Sequence, residues 1–175
     1  MLDKINAATD DLTIDPTPAA MVLFNPVFDN GPNGYHGVPS NIAETGFQCY
    51  CKEYKNPFGK WAALFKARYS DLSPIHNISS KTPPTLVMLG SEDNLIPVET
   101  PQKFQKEMNL KGNRCDLIIY DGAGHGFFNG VRSVDKSTNP ERFRYFFETL
   151  QATDNFLQDL GFLKGEANVK EYFKH

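Results

Sequence analysis

The chain of 175 residues lacks several features that would decide its class at once. Its longest apolar stretch, residues 19–24, is far shorter than the ~20 residues that span a bilayer. No run of lysine or arginine appears, and the net charge is −3, so we expect neither a membrane span nor a nucleic-acid surface. The first residues, MLDKINAATDD, lack the apolar core of a signal peptide, which predicts a cytoplasmic protein.

Cysteine is also scarce, and its spacing excludes the usual cysteine-based sites. The three cysteines are Cys49, Cys51 and Cys115, and a single residue separates the first two. An odd count does not fit a disulfide framework, and zinc sites usually space their cysteines by about two to four residues. We therefore expect reduced thiols, no metal site and no cofactor.

Three short apolar runs predict the strands of a single α/β domain over residues 1–175. They are AAMVLFN from Ala19 to Asn25, TLVML at residues 85–89 and DLIIY at residues 116–120. Each run is nearly continuous rather than alternating, which is typical of parallel strands that are covered on both faces.

Helix signals separate and follow the second and third strands. Thr100 is a candidate N-cap, Pro101 suits a first helical turn and Gly112 can end the helix. A strand, a helix and a strand in this order predict a right-handed crossover between parallel neighbours. A longer helix is predicted to start at Asn139-Pro140, with an apolar stripe rich in phenylalanine.

The segment from about residue 30 to residue 72 does not follow this pattern. It contains glycines, scattered aromatic residues and both close cysteines. So long an excursion between two strands is usually functional or disordered, and its aromatic content favours an ordered segment. We interpret it as a cap-like insertion over the functional site.

Two ionisable residues follow the second and third strands. Asp93 lies in LGSEDNLIPV and His125 in DGAGHGFF, and the interval between them is what one crossover helix occupies. Neighbouring parallel strands would bring these loops side by side at the carboxyl edge of the sheet. A carboxylate that accepts from a histidine ring fixes its tautomer and supports the imidazolium form. Gly124 and Gly126 are expected to allow a close approach of the two loops.

Other assignments remain open for these residues. Asp93 could instead cap a turn, in which case Glu92 or Asp121 would compete as the acid, although Asp121 is more suited to tie its own loop. His125 could bind backbone carbonyls. The remaining histidines, His36, His76 and His175, are predicted to be surface, packing or terminal residues. Neither Cys49 nor Cys51 has the sequence setting of a nucleophile.

Three segments resemble a known family. PPTLVMLGSEDNLIPV and YDGAGHGFFN resemble the acid and histidine segments of α/β-hydrolase fold esterases and lipases. AAMVLFNPVFDNGPNG resembles the strand after the nucleophile in acetylesterase-like members, which are related to dienelactone hydrolases and prolyl oligopeptidases. The resemblance implies the C-terminal half of an α/β-hydrolase fold, with three parallel strands, crossover helices and a cap. It also implies that Asp93 is the triad acid and His125 the triad base.

One element of the family pattern is missing from these residues. The family places its nucleophile in a G-x-S-x-G elbow before the acid and the histidine, and no such pentapeptide occurs here. The resemblance therefore implies a carboxylic-ester hydrolase that acts on a small ester only when another half completes it, and that is inactive alone. The alternative is a non-catalytic binding or interaction module that kept the half-fold.

The missing half also implies an exposed strand edge. In the family fold the first strand, from Ala19 to Asn25, lies beside the nucleophile strand. Without that neighbour its apolar edge is open to pairing, and it carries no lysine or glutamate to prevent it. We expect a homodimer through this edge, with exchange of the residue 30–72 segment or a complementary N-terminal chain as alternatives.

Overall fold

A three-stranded parallel sheet and two α-helices form most of the part of the chain that the structure describes. The computed structural model describes residues 9–11, 13–30, 34, 70–71, 73–129, 140–167 and 169. The strands are β1 (Met21–Phe24), β2 (Thr85–Gly90) and β3 (Cys115–Tyr120), in the order β1-β2-β3. Helix α1 (Glu99–Leu110) joins β2 to β3, and helix α2 (Pro140–Asp159) follows β3. The predicted parallel neighbours and their connecting helix are therefore confirmed.

The central strand is buried on both faces, which explains its continuous apolar sequence. All six residues of β2 are buried. Val87 packs into one core cluster with Phe28, Phe104, Met108 and Cys115. Leu86 and Met88 belong to the other, on the opposite face, with Tyr120, Phe127, Tyr145 and Phe156. Each such side chain contributes about 1.5–3 kcal/mol when fully buried, so β2 anchors both layers.

Two element boundaries differ from the sequence-based expectation. Strand β1 spans only Met21–Phe24, because the backbone of Asn25 adopts the left-handed conformation, with φ 46°. The four residues of β1 are half-buried. Thr100 does not cap α1; its hydroxyl donates to the carbonyl of Pro97 instead (2.9 Å). Gly112, with φ 79°, follows the end of α1 as predicted.

Several predicted features lie outside the described residues, including most of the residue 30–72 insertion and Cys49, Cys51, His36 and His175. Cys115 is described and is a buried free thiol. Burial, with a smaller effect of the Asp116 carboxylate, raises the pKa of the Cys115 thiol to about 12. It is therefore a packing residue rather than a reactive one. Among the described helices, none is long and apolar enough to cross a membrane.

Candidate active site

The loops that follow β2 and β3 meet at the carboxyl edge of the sheet. Because β2 pairs directly with β3, both loops leave the sheet at neighbouring positions. The backbone N–H of Ser91 donates to the Tyr120 carbonyl (2.9 Å), and that of Glu92 donates to the Ala123 carbonyl (2.9 Å). The Gly122 N–H donates to Ser91 Oγ (2.8 Å). These bonds hold one loop against the other without any contribution from the Asp93 or His125 side chains.

Asp93 and His125 form a hydrogen-bonded pair between these loops. His125 Nδ1 lies 3.0 Å from Asp93 Oδ2 and 3.2 Å from Asp93 Oδ1. The Asp93 side chain is completely buried, whereas 34% of the His125 side chain is exposed. The predicted contact is thus confirmed. Because a carboxylate can only accept, it holds the proton on Nδ1 and leaves Nε2 as the basic nitrogen of the neutral ring.

Backbone and side-chain donors stabilise the charged form of Asp93. Its Oδ1 accepts from the N–H groups of Leu95 (2.8 Å) and Ile96 (3.0 Å), and its Oδ2 accepts from the Asn25 amide. Burial is the largest single influence and raises the pKa of Asp93, but these hydrogen bonds and that of His125 together outweigh it. The net pKa of Asp93 is lowered, so it is a carboxylate at neutral pH.

Asn25 is a site residue that the sequence-based reasoning missed. It was assigned to the end of the first strand, yet its side chain lies in the site and Nδ2 donates to Asp93 Oδ2. The residue is buried, and among the described residues its Oδ1 has no hydrogen-bond partner. The sequence feature that could have indicated this role is an amide residue placed directly after an apolar strand and before Pro26.

The competing acids do not contact the histidine. Asp121 Oδ1 lies 3.5 Å from Ser91 Oγ, and the Asp121 carbonyl accepts from the Tyr145 hydroxyl. Glu92 is exposed and contributes its backbone N–H to the loop contact. His76 is exposed at the end of the 3₁₀ helix Pro74–His76. Asp93 is therefore the carboxylate that orients His125.

The two glycines of the histidine loop differ in what they do. A Cβ atom on Gly124 would lie 3.8 Å from the Glu92 carbonyl oxygen, which is an ordinary contact, so the expected close approach is not made there. Gly126 has φ 76°, a left-handed conformation that glycine adopts without strain. The turn directly after His125 therefore depends on Gly126.

No group of residues suited to hold a metal ion occurs in the described parts of the chain.

Comparison with curated proteins identifies esterases among the relatives. The chain is 29% identical to an acetylxylan esterase of Xylanibacter ruminicola over 119 residues, which are 62% of this chain and 23% of that protein. It is 37% identical to esterase LipC of Mycobacterium tuberculosis over 68 residues, 37% of this chain and 17% of the relative. The chain thus spans less than a quarter of the length of these two relatives.

Solved structures give a similar picture over more of the chain. A propionate-bound thermophilic esterase from Thermogutta terrifontis superposes with a TM-score of 0.65 at 27% identity, covering 93% of this chain and 50% of that one. The native form of the same esterase gives a TM-score of 0.63 at 31% identity, with 93% and 50% covered. The chain therefore corresponds to about half of that esterase.

The family assignment follows from a match that covers most of the chain. The model of the prolyl oligopeptidase family matches residues 43–153, which include both Asp93 and His125. Together with the esterase relatives, this match agrees with the three parallel strands and their helices as part of an α/β-hydrolase fold. The chain belongs to the prolyl oligopeptidase family of α/β-hydrolases and is similar to esterases.

Proposed function

We propose that this chain provides the acid and the base of a serine-type carboxylic-ester hydrolase. The observation that carries the proposal is the Asp93–His125 pair, in which a buried carboxylate holds Nδ1 of a partly exposed imidazole at 3.0 Å. Such a pair is suited to accept a proton at Nε2 and to return it later in the reaction. Its membership of an esterase-related family supports the same chemistry.

The catalytic serine is proposed to lie outside these 175 residues. No G-x-S-x-G pentapeptide occurs in the sequence, and the chain corresponds to about half of the Thermogutta terrifontis esterase. In the completed site, His125 Nε2 takes the hydroxyl proton as the serine oxygen attacks the ester carbonyl carbon. The protonated His125 then donates to the departing alcohol, and Asp93 stabilises the imidazolium throughout. A water molecule, activated in the same way, hydrolyses the acyl-serine.

The proposed substrates are esters of short carboxylic acids. Structures of the Thermogutta terrifontis esterase are described as bound to propionate and to butyrate. The acetylxylan esterase of Xylanibacter ruminicola aligns with this chain over a longer segment than esterase LipC does. These relatives support a small acyl group for this chain.

The test is to restore the missing half and measure ester hydrolysis. The chain is co-expressed with the polypeptide encoded immediately upstream or in an adjacent reading frame, if it contains G-x-S-x-G, and assayed on an activated acetate ester. His125→Gln should lower kcat by about 10⁶-fold and Asp93→Asn by about 10⁴-fold. His76→Gln is the matched control, because His76 is exposed outside the site, and it should leave kcat unchanged.

Two outcomes would contradict the proposal. Full turnover in His125→Gln would show that another base acts, and the mechanism above would be wrong. A complex that assembles but never hydrolyses any ester would favour the alternative of a non-catalytic binding module, as would the absence of a G-x-S-x-G segment from the neighbouring coding sequence.

A further inference from the structure

We propose that Asn25 is a positioning residue, whose amide holds the Asp93 carboxylate in the plane from which it orients His125. Its catalytic meaning rests on the proposed function, but the contact itself does not. Asn25 Nδ2 donates to Asp93 Oδ2, and the two residues are 68 positions apart in the chain. Asn25 thereby connects the end of β1 to a pair built entirely from the loops after β2 and β3.

The two oxygens of Asp93 are held from different directions. Oδ1 accepts from the N–H groups of Leu95 and Ile96, which belong to the same loop as Asp93. Oδ2 has no such local donor in the described structure; it accepts from Asn25 and from His125. Without Asn25, the bond to His125 would be the only hydrogen bond to Oδ2, and the carboxylate could pivot about the Oδ1 atom that the loop holds. Asn25 therefore supplies the restraint that is independent of the histidine.

The local conformation of Asn25 is unfavourable in ways that the contact explains. Its backbone adopts φ 46°, which side-chain-bearing residues rarely do, although asparagine tolerates it better than most. Its Oδ1 is buried without a partner in the described residues. Turning the amide over would remove the bond to Asp93, because Oδ1 would then face the Asp93 carboxylate. Unfavourable features of this kind gather where a structure holds a functional group in place.

The consequence concerns the protonation of the histidine ring. A fixed carboxylate plane keeps both oxygens within 3.2 Å of His125 Nδ1 and so favours the tautomer with the proton on Nδ1. A carboxylate free to rotate would lose part of that preference, and the ring would move toward the tautomer protonated on Nε2. That tautomer cannot accept a proton at Nε2, so the loss of Asn25 would remove active base without removing any group that touches the substrate.

The test is nuclear magnetic resonance of the ¹⁵N-histidine-labelled 175-residue chain, with the His125 signal assigned by its loss in His125→Gln. At a pH at which the ring is neutral, we expect the parent to carry the proton on His125 Nδ1 and to show a low-field Nδ1 proton signal. Asn25→Gly removes the amide and suits the left-handed backbone. It should give a mixture of tautomers and lose the low-field signal.

Asn77→Ala is the matched control for a general loosening of the fold. The Asn77 amide donates to the carbonyls of Ser70, Asp71 and Ser73, and within the described residues it makes no hydrogen bond to Asp93 or His125. This variant should lower the unfolding temperature and leave the His125 tautomer as in the parent. If it shifts the tautomer as much as Asn25→Gly does, the effect is one of stability and the proposal is wrong.

A second variant covers the case in which Asn25→Gly does not fold. Asn25→Asp keeps the shape of the side chain but puts a second carboxyl group against Asp93. The two carboxyl groups then titrate as a pair, and the His125 signals should show an added titration step that the parent lacks. A titration curve that superposes on that of the parent would overturn the proposal, as would an unchanged tautomer in folded Asn25→Gly.

Activity separates this inference from the proposed function. In a completed, active enzyme, Asn25→Gly should lower kcat by about 10- to 100-fold with KM within about twofold of the parent. If the completed protein has no turnover but the tautomer shifts as expected, the proposed function fails and the positioning role stands. If turnover is present and Asn25→Gly changes neither tautomer nor kcat, the positioning role fails alone.

Discussion

Gly90, the last residue of β2, lies so close to Ala123 that a Cβ atom added to Gly90 would stand 2.0 Å from the Ala123 carbonyl oxygen. That carbonyl also accepts the N–H of Glu92 (2.9 Å). The same carbonyl therefore fixes the start of the Asp93 loop against the His125 loop. The spacing of the Asp93–His125 pair depends on a contact between backbones that only glycine permits.

Gly90→Ala should consequently destabilise the fold and separate the two loops. The methyl group cannot be accommodated without backbone movement, and overpacking of this kind costs about 1–3 kcal/mol. Urea denaturation followed by circular dichroism measures the change. Gly124→Ala is the matched control in the neighbouring loop, where a Cβ atom would have 3.8 Å of space. It should be neutral or slightly stabilising, and a greater loss there than at Gly90 would contradict this account.

Asp93→Asn should destabilise the chain in a pH-dependent way. The folded pKa of Asp93 is lowered below its ordinary value, because its hydrogen bonds outweigh the opposing effect of burial. The carboxylate thus contributes stability that is present above the unfolded pKa, about 3.9, and is lost as the pH falls through the folded pKa. The free-energy gap between parent and variant should be about 1–3 kcal/mol at pH 7, because buried donors lose their acceptor.

Unfolding free energies at pH 7, 5, 4 and 3 test this expectation. The gap between parent and Asp93→Asn should narrow below about pH 4, as the parent loses the contribution of its carboxylate. A gap that stays constant across the series would show that the hydrogen bonds of Asp93 do not depend on its charge. Asp121→Asn, in the exposed start of the histidine loop, should stay within about 0.5 kcal/mol of the parent throughout.

The sequence indicated the Asp93–His125 pair because each member follows a continuous apolar strand, and because one crossover helix separates them. Parallel neighbours then force Asp93 and His125 to the same edge of the sheet. Asn25 was not foreseen, since its role depends on the position of β1 in the sheet order and on a left-handed φ that ends the strand early. The close contact at Gly90 was missed for a similar reason: chain distance gives no measure of how near two backbones approach.

The chain on its own should show no turnover of an activated acetate ester above the uncatalysed rate. Without a serine elbow, the Asp93–His125 pair has no hydroxyl to activate. A fluorophosphonate probe, which reacts with activated serines, should likewise leave the chain unlabelled when the intact mass is measured. A paraoxon-inactivated serine esterase provides the negative control and its untreated form the positive one. Stoichiometric labelling of any serine here would mean that a nucleophile lies within these residues.

One edge of strand β1 faces β2, and the other edge faces away from β2. The N–H groups of Met21 and Asn25 donate to the carbonyls of Pro84 and Met88, each at about the 3 Å of an ordinary bond. Because alternate residues of a strand present their backbone groups to opposite sides, Val22 and Phe24 direct theirs to the outer edge. Within the described parts of the chain, no strand pairs with that edge.

We therefore expect this edge to pair with a second polypeptide, and the purified chain to form a homodimer. Val22→Pro tests the edge sharply, since it removes an outward N–H while leaving the N–H groups that bond to β2. Proline is tolerated on edge strands in this orientation. Light scattering should show a dimer for the parent and a monomer of native circular dichroism for Val22→Pro. Leu23→Pro is the control, because the same alternation directs its N–H toward β2, and it should unfold the sheet. A parent that is monomeric at all concentrations would show that the outer edge is not a pairing site.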